Sequence, residues 1–259
     1  MYVTRGKIIA FANQKGGVAK STTVEAVGSV LMNQGKKVLF IDLDPQWNLT
    51  DTIAGMRPDG KADICDLFTG AASAEELIRT TENGYIIPAC DKLAGLRETM
   101  KDKAPVQLTA ALAPIRNAFD YILLDTPPAL GWLSVNALAA ADYLVVPTTA
   151  DYYCLKAIGQ LYTTVEVVRA NMNKALSIAG ILVTRYNGRT VLSRDVAEVI
   201  TDTANRLHTG VFKTFIHEGV AIREAQARHK LILNYAPRSK AAIEYTAFTA
   251  ELLDIIGKE

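Results

Sequence analysis

Residues 13–23 read NQKGGVAKSTT and follow directly on the apolar run KIIAFA. A phosphate-binding loop of the ordinary form is G-x-x-x-x-G-K-[ST]. Gln14 stands at its first glycine and Ala19 at its last, so the strict pattern fails, although Lys20-Ser21 is in place. An additional lysine, Lys15, precedes the pair Gly16-Gly17. Those glycines allow a tight turn whose successive N–H groups surround phosphate oxygens. A helix beginning near Thr22 would add the positive end of its dipole. In such a loop Lys20 carries charge to the β- and γ-phosphates, and the Ser21 hydroxyl is placed to ligate Mg²⁺. Ala19 fits if its φ is negative.

Outward from this loop the chain alternates strand and helix signals. Apolar, β-branched runs recur at 7–13, 36–44, 84–89, 120–128, 142–148, 176–186 and 211–217. Each is continuously apolar, as strands covered on both faces are. Helical patterns lie between them, at 22–34 ending on Gly35, at 105–118 opening on Pro105, and at 151–172. In the last, Leu155, Ile158, Leu161, Val165 and Val168 recur at helix spacing. This alternation predicts an α/β fold, a mostly parallel, doubly wound sheet flanked by helices. No repeat or Gly/Ser/Pro-rich linker divides the 259 residues, so a single domain is expected.

Ligands on such sheets bind beyond the carboxyl ends of the strands. Polar clusters fall at three of those ends: the loop at 13–21, Asp42 and Asp44 in IDLDPQ, and Asp125 in DYILLDTPP. Asp125 ends an apolar run as a Walker B aspartate does, and its carboxylate can hold magnesium through water. Of Asp42 and Asp44, one can brace the magnesium shell while the other orients an attacking water.

Composition narrows the classes. The net charge is only +1, but residues 185–240 hold ten Lys/Arg against five Asp/Glu, leaving the rest of the chain acidic. That asymmetry suggests either an anionic partner for the C-terminal third or a solvated basic surface. Cys65, Cys90 and Cys154 are widely spaced, which suggests buried thiols in a reducing compartment and neither a disulfide frame nor a zinc site. No apolar stretch reaches membrane-spanning length and no secretory signal is visible, so a soluble, cytoplasmic protein is expected. His208, His217 and His229 form no triad or metal spacing.

KGGVAKST resembles the deviant Walker A motif of the ParA/MinD family, and IDLDPQ and LLDTPP resemble that family's next two motifs in order and spacing. The likeness continues through LSVNALAAADYLVVP, DYYCLKAIGQL and YAPRSKAAIEY, over nearly the whole chain. It is greatest to small ParA-type partition ATPases without an N-terminal DNA-binding domain. The resemblance implies a slow ATPase, with ATP and Mg²⁺ as ligands, that forms an ATP-dependent homodimer. It implies that Lys15 reaches the phosphates of the other subunit. Residues Gly16, Gly17, Val18, Ala19, Lys20, Ser21 and Thr22 would bind the subunit's own nucleotide. Ser21, Asp125 and Asp42 would serve the metal, while Asp44 orients the hydrolytic water with Asp42 in support.

The same kinship implies non-specific DNA binding through basic residues of the C-terminal region, here Arg189, Arg223, Arg228, Lys230, Arg238 and Lys240. A ParB-type centromere-binding partner, no membrane, and a nucleoid location complete the expectation. Two positions depart from the family's usual glycine, Ala19 and Trp47, and His217-Glu218-Gly219 replaces a Pro-x-Asn segment near the base. Other classes remain: a positioner of non-DNA cargo, a MinD-like membrane regulator, an electron-transferring iron protein, or a metabolic ligase of the same fold. FTAELLDIIGKE lacks the basic amphipathic character of a membrane helix, and TPPALGWLS lacks a cluster-bridging cysteine.

Overall fold

The computed structural model describes residues 5–55, 61–100 and 105–258. In chain order the elements are β1 (Lys7–Phe11), α1 (Lys20–Asn33), β2 (Val38–Asp42), α2 (Asn48–Ala54), α3 (Ile64–Thr69), α4 (Ala74–Leu77), β3 (Arg79–Thr81) and β4 (Gly84–Ile87). There follow α5 (Leu93–Thr99), α6 (Gln107–Leu112), a 3₁₀ turn (Arg116–Ala118), β5 (Tyr121–Asp125), α7 (Trp132–Ala140), β6 (Tyr143–Thr149) and α8 (Cys154–Asn171). The chain then forms β7 (Ser177–Thr184), α9 (Val191–Arg206), α10 (Val220–Gln226), α11 (Ile232–Tyr235) and α12 (Lys240–Ile256).

The strands form one seven-stranded sheet in the order β3-β4-β2-β5-β1-β6-β7. All neighbours are parallel except β3–β4. The register places Asp42 beside Asp125 and Phe11 beside Asp125 at one edge. The phosphate-type loop and both acidic strand ends therefore open on the same side of the sheet, where such folds bind ligands.

Strand alternation explains why the runs are apolar throughout. Ile8, Ala10, Leu39, Ile41, Ile122 and Leu124 face one core, shared with Leu138, Ile158, Leu161 and Val165 of α7 and α8. Ile9, Phe11, Val38, Phe40 and Leu123 face the other, filled by Val24, Val27 and Leu31 of α1 and Tyr245, Phe248 and Leu252 of α12. Both faces are dry, so neither parity of the strand can be polar. Gly28 lets α1 lie close on this sheet: a Cβ there would stand 2.2 Å from the Phe40 ring.

Four expectations are adjusted. Helix α1 begins at Lys20, so Lys20 and Ser21 themselves form its first turn; it ends as expected, with Gly35 at φ 77°. The helix expected at 105–118 shortens to Gln107–Leu112 and a separate 3₁₀ turn, because Pro114 has no N–H to continue the ladder. The helix expected at 151–172 starts only at Cys154.

Residues 211–217 do not form a strand. They touch β7 at two isolated bridges, Ile181–Val211 and Tyr186–His217. Between these points the N–H groups of Lys213 and Thr214 donate instead to the Glu251 carboxylate of α12, at 2.7 and 3.2 Å. A side chain thus takes the donors that a ladder would need.

Candidate nucleotide site

The loop after β1 is fixed from beneath before any ligand arrives. Asn13, buried, donates from Nδ2 to the Pro147 carbonyl at 2.7 Å, and its Oδ1 accepts the Lys15 N–H at 3.0 Å. The Thr184 hydroxyl lies 3.1 Å from the carbonyl oxygens of both Val18 and Thr148. Gly17 has φ 73°, as a turn of exposed N–H groups requires.

Ala19 does not have the negative φ expected of it: φ is 59° and ψ is 36°, squarely left-handed. The fold imposes this value because Ala19 is the cap residue from which α1 departs, with its carbonyl accepting both the N–H and the hydroxyl of Thr23 at 2.9 and 2.7 Å. Trp47 is left-handed too, at φ 44°. Both departures from glycine therefore fall where glycine relieves strain.

Two adjoining cavities meet at this loop. A cleft of about 460 Å³ is lined by Gly16, Lys20, Ser21, Asp44, Asn48 and Pro128. Its neighbour, about 300 Å³, is lined by Thr184, Arg185, Ile216, His217, Ile222 and Tyr245. Gly17, Ala19, Thr22 and Gln226 belong to both walls. The polar cleft suits a phosphate chain and the more apolar one a base.

Charge in the polar cleft is unbalanced. Lys20 is 6% exposed, and burial lowers its pKa against the pull of Asp125 and Asp44. Asp125 is fully buried and neither carboxylate oxygen has a hydrogen-bond partner. Burial and then the Asp42 carboxylate push it well above its ordinary range; the nearby Ser21 hydroxyl and Lys20 oppose them.

Burial likewise raises Asp42, to about 6, and Asp44. Two carboxyls, Asp125 and Asp44, thus act on one ammonium, with Asp42 packed behind Asp125. An orphaned buried carboxylate beside a hydroxyl is a donor set that fits Mg²⁺, a hard cation taking oxygen ligands.

Asp42 and Asp44 divide their work. Asp42 Oδ1 accepts the Asp44 N–H at 3.0 Å, and Oδ2 accepts both the N–H and the hydroxyl of Thr50 at 2.8 Å. Its two oxygens hold the loop after β2. Asp44 lies beyond the strand end, its Oδ1 accepting the Gln46 N–H at 3.0 Å, and it lines the cleft.

Lys15 lies elsewhere. Its ammonium is ion-paired with Asp151 and lies 3.2 Å from the Thr149 hydroxyl, at the end of β6. Burial opposes the shift, but the Lys15 and Thr149 bonds hold the Asp151 carboxyl below its ordinary value.

The basic candidates are all exposed. Arg189 is in the loop after β7. Arg228 stacks 5.2 Å from the Tyr235 ring, Lys240 pairs with Glu244 at 3.6 Å, and Arg223 lines the base-sized cavity.

Several site residues gave no signal in the sequence. Arg185 donates to the Gly17 carbonyl at 3.3 Å and pairs with Glu218 at 3.0 Å. Gln226 donates to the Thr22 hydroxyl at 3.0 Å. Both come from segments more than a hundred residues away, and neither lies in a motif.

The model of a family described as an AAA domain matches residues 6–178. The sporulation initiation inhibitor protein Soj of Bacillus subtilis is 38% identical over 95% of this chain and 98% of its own. The chromosome-partitioning ATPase Soj of Thermus thermophilus is also 38% identical, over 95% of this chain and 94% of its own. Among solved structures, a protein titled cobyrinic acid a,c-diamide synthase from Mycobacterium smegmatis, with bound ADP and magnesium, superposes with a TM-score of 0.84. It is 33% identical, and the match covers 97% of this chain and 96% of that one. With its lysine-first phosphate loop, its paired acidic strand ends and these full-length relatives, the chain belongs to the ParA/MinD family of P-loop ATPases.

Proposed function

We propose that this protein is a ParA-type partition ATPase, which closes as a face-to-face dimer on two ATP molecules and in that state holds DNA without sequence preference. A ParB-type centromere-binding protein is its partner and stimulates a slow intrinsic hydrolysis. The protein works in the cytoplasm on the nucleoid, as one nucleotide-binding unit.

The observation that carries this reading is the place of Lys15. Its ammonium rests on Asp151 and Thr149, apart from the cleft that Lys20 and Ser21 line. Lys20 already serves the chain's own phosphates, so a second loop lysine held outside is suited to the nucleotide of a second copy.

Chemistry within one subunit follows from the geometry. Loop N–H groups and Lys20 neutralise the β- and γ-phosphates, and the triphosphate in turn restores the charge that burial disfavours on Lys20. Ser21 and Asp125 would hold magnesium, which would supply positive charge to offset that of the phosphates. Asp44 accepts a hydrogen bond from the attacking water and aligns it. Asp42 keeps Asp44 in place through the backbone of the loop.

The membrane alternative is not favoured. Among the described residues no helix is long and apolar enough to cross a membrane. The apolar stripe of α12, with Tyr245, Phe248, Leu252 and Ile256, is buried in the core and not offered to a lipid surface. Exposed Arg228, Lys230 and Arg238 are better DNA candidates than Arg223, which the nucleotide cavity claims.

A DNA titration with ATP, ADP or no nucleotide, at two salt concentrations, tests the proposal. DNA should be retained with ATP alone, with affinity falling steeply as salt rises. Retention that ignores the nucleotide, or none with ATP, would refute the DNA role.

A further inference from the structure

Cys65 and Cys90 are twenty-five residues apart in sequence, yet their sulfurs lie 3.0 Å from one another in the interior. Cys65 sits in the first turn of α3 and is 7% exposed; Cys90 follows β4 and is 4% exposed. The backbones are already tied together, because the Ile64 N–H donates to the Pro88 carbonyl at 3.1 Å. The separation is about 1 Å longer than a disulfide bond.

Asp63 completes a group of three ligand-type atoms within 4.8 Å of one another, which raises the question of a cation. Two thiolates sharing a tetrahedral zinc would stand roughly 3.7 Å apart, farther than these do. Asp63 Oδ1 is also engaged, accepting the Cys65 N–H at 2.8 Å as the cap of α3. Sulfur–sulfur bonding fits the geometry better than metal ligation.

We propose that Cys65 and Cys90 are a reversible dithiol–disulfide site, closed by peroxide-class oxidants and reopened by thiols, that grips the loop bearing Asp42 and Asp44. The bond with Cys65 holds the Cys90 thiol below its ordinary pKa despite burial, so Cys90 is the readier thiolate. A cleft of about 590 Å³, lined by Cys65, Asp63, Ala72, Lys92 and Leu96, brings a small oxidant to Cys65, with the Cys90 sulfur 3.0 Å behind it.

The Cys90 thiolate attacks one peroxide oxygen; the O–O bond breaks and hydroxide leaves, giving a sulfenic acid. The Cys65 sulfur then attacks that sulfur, the S–S bond forms, and water leaves with the Cys65 proton. Two thiols are oxidised and one peroxide is reduced to two waters. In a reducing compartment such bonds are transient and regulatory.

The neighbours of Cys90 hold the catalytic loop. The Ala89 N–H donates to the Thr50 hydroxyl at 3.0 Å, and that hydroxyl donates to Asp42 at 2.8 Å. On the other side, Asp91 accepts the Trp47 indole N–H at 2.8 Å. Drawing the sulfurs together shifts residues 89–91 against this loop.

The test is a peptide map of the whole protein after hydrogen peroxide, without reduction. A Cys65–Cys90 linked peptide is expected in the wild type and in Cys154→Ala, lost on adding dithiothreitol. Only sulfinic or unmodified Cys65 and Cys90, or a stoichiometric zinc ion in the reduced protein that Cys90→Ser abolishes, would overturn the site. The coupling to the loop rests on the proposed ATPase reading. Oxidation should slow ATP hydrolysis at least about tenfold, reversibly, in the wild type but not in Cys65→Ala or Cys65→Ser. A linked peptide with unchanged hydrolysis would overturn the coupling, while a protein that hydrolyses no ATP before oxidation would refute the ATPase reading and leave the peptide map decisive for the site.

Discussion

Glu25 lies on α1, five residues past Lys20, and is 2% exposed. Its Oε1 accepts the Ile232 N–H at 2.8 Å, tying α1 to α11. Burial drives its carboxyl from the ordinary 4.5 up to about 7, and the Ile232 bond offsets only part of that. The folded chain therefore binds a proton there that the unfolded chain has released across the window between those values. By linkage, stability falls as pH rises through the window and the loss is complete above the folded value.

The full loss is roughly 3 kcal/mol, of which about 2 kcal/mol is expressed between about pH 5.5 and pH 8.5. Glu25→Gln keeps an oxygen for the Ile232 N–H and removes the titration. Its amide N–H₂ adds a burial cost, but that cost is the same at both pH values. Urea unfolding at constant ionic strength without magnesium, followed by circular dichroism, measures the difference between wild type and variant. That difference should move by about 2 kcal/mol in favour of the variant on going from about pH 5.5 to 8.5. Comparing the two proteins cancels Asp42, Asp44 and Asp125, which titrate in both. A difference that stays constant with pH would show that Glu25 is not a buried titrating acid, and the reasoning would fail.

Ala19→Gly should raise stability by about 1 kcal/mol, the left-handed strain less the added freedom of the unfolded chain, read as a higher urea midpoint with unchanged slope. Lys20→Ala should abolish ATP binding by calorimetry, since it leaves the buried carboxyls without their cation; retained micromolar affinity would contradict the loop assignment. Asp151→Ala should free Lys15 and tighten ATP-dependent dimerisation. The pair is about one-third exposed, 30% and 36%, so each released contact is worth about 0.5 kcal/mol and the dimer constant should improve about fivefold in light scattering. Weaker dimerisation would mean that Asp151 serves the assembled state instead.

Much of the fold is legible in the sequence because the sheet is dry on both faces. Apolar runs of strand length have few other fates in a chain with helices between them, and six of the seven runs are strands. The seventh, 211–217, has the same composition, but Glu251 intercepts its donors from α12, a competition between distant groups that no local pattern records. The antiparallel edge β3 escaped for the opposite reason: RTT is short and polar, and its pairing depends on the turn into β4. In the site, residues within motifs were named in advance. Arg185 and Gln226 were not, since each arrives by tertiary packing from a segment of ordinary composition, and Asp151 opens the quoted stretch DYYCLKAIGQL without its pairing to Lys15 being legible there.

Two of the five left-handed non-glycine residues flank the same cleft, Ala19 at the foot of α1 and Trp47 in the loop behind Asp44. An L-residue held there costs about 1–2 kcal/mol, and the surroundings show what holds each one. Ala19 is fixed by Thr23, and Trp47 by its indole bond to Asp91 and its own N–H on the Asp44 carbonyl at 2.8 Å. With glycine at 47 that indole anchor would be absent, leaving the Thr50 bond to the Ala89 N–H as a tie between this region and the segment after β4. Tryptophan there couples the position of Asp44 to the segment containing Cys90, so a side chain that looks misplaced in the motif is what links the two halves of the site.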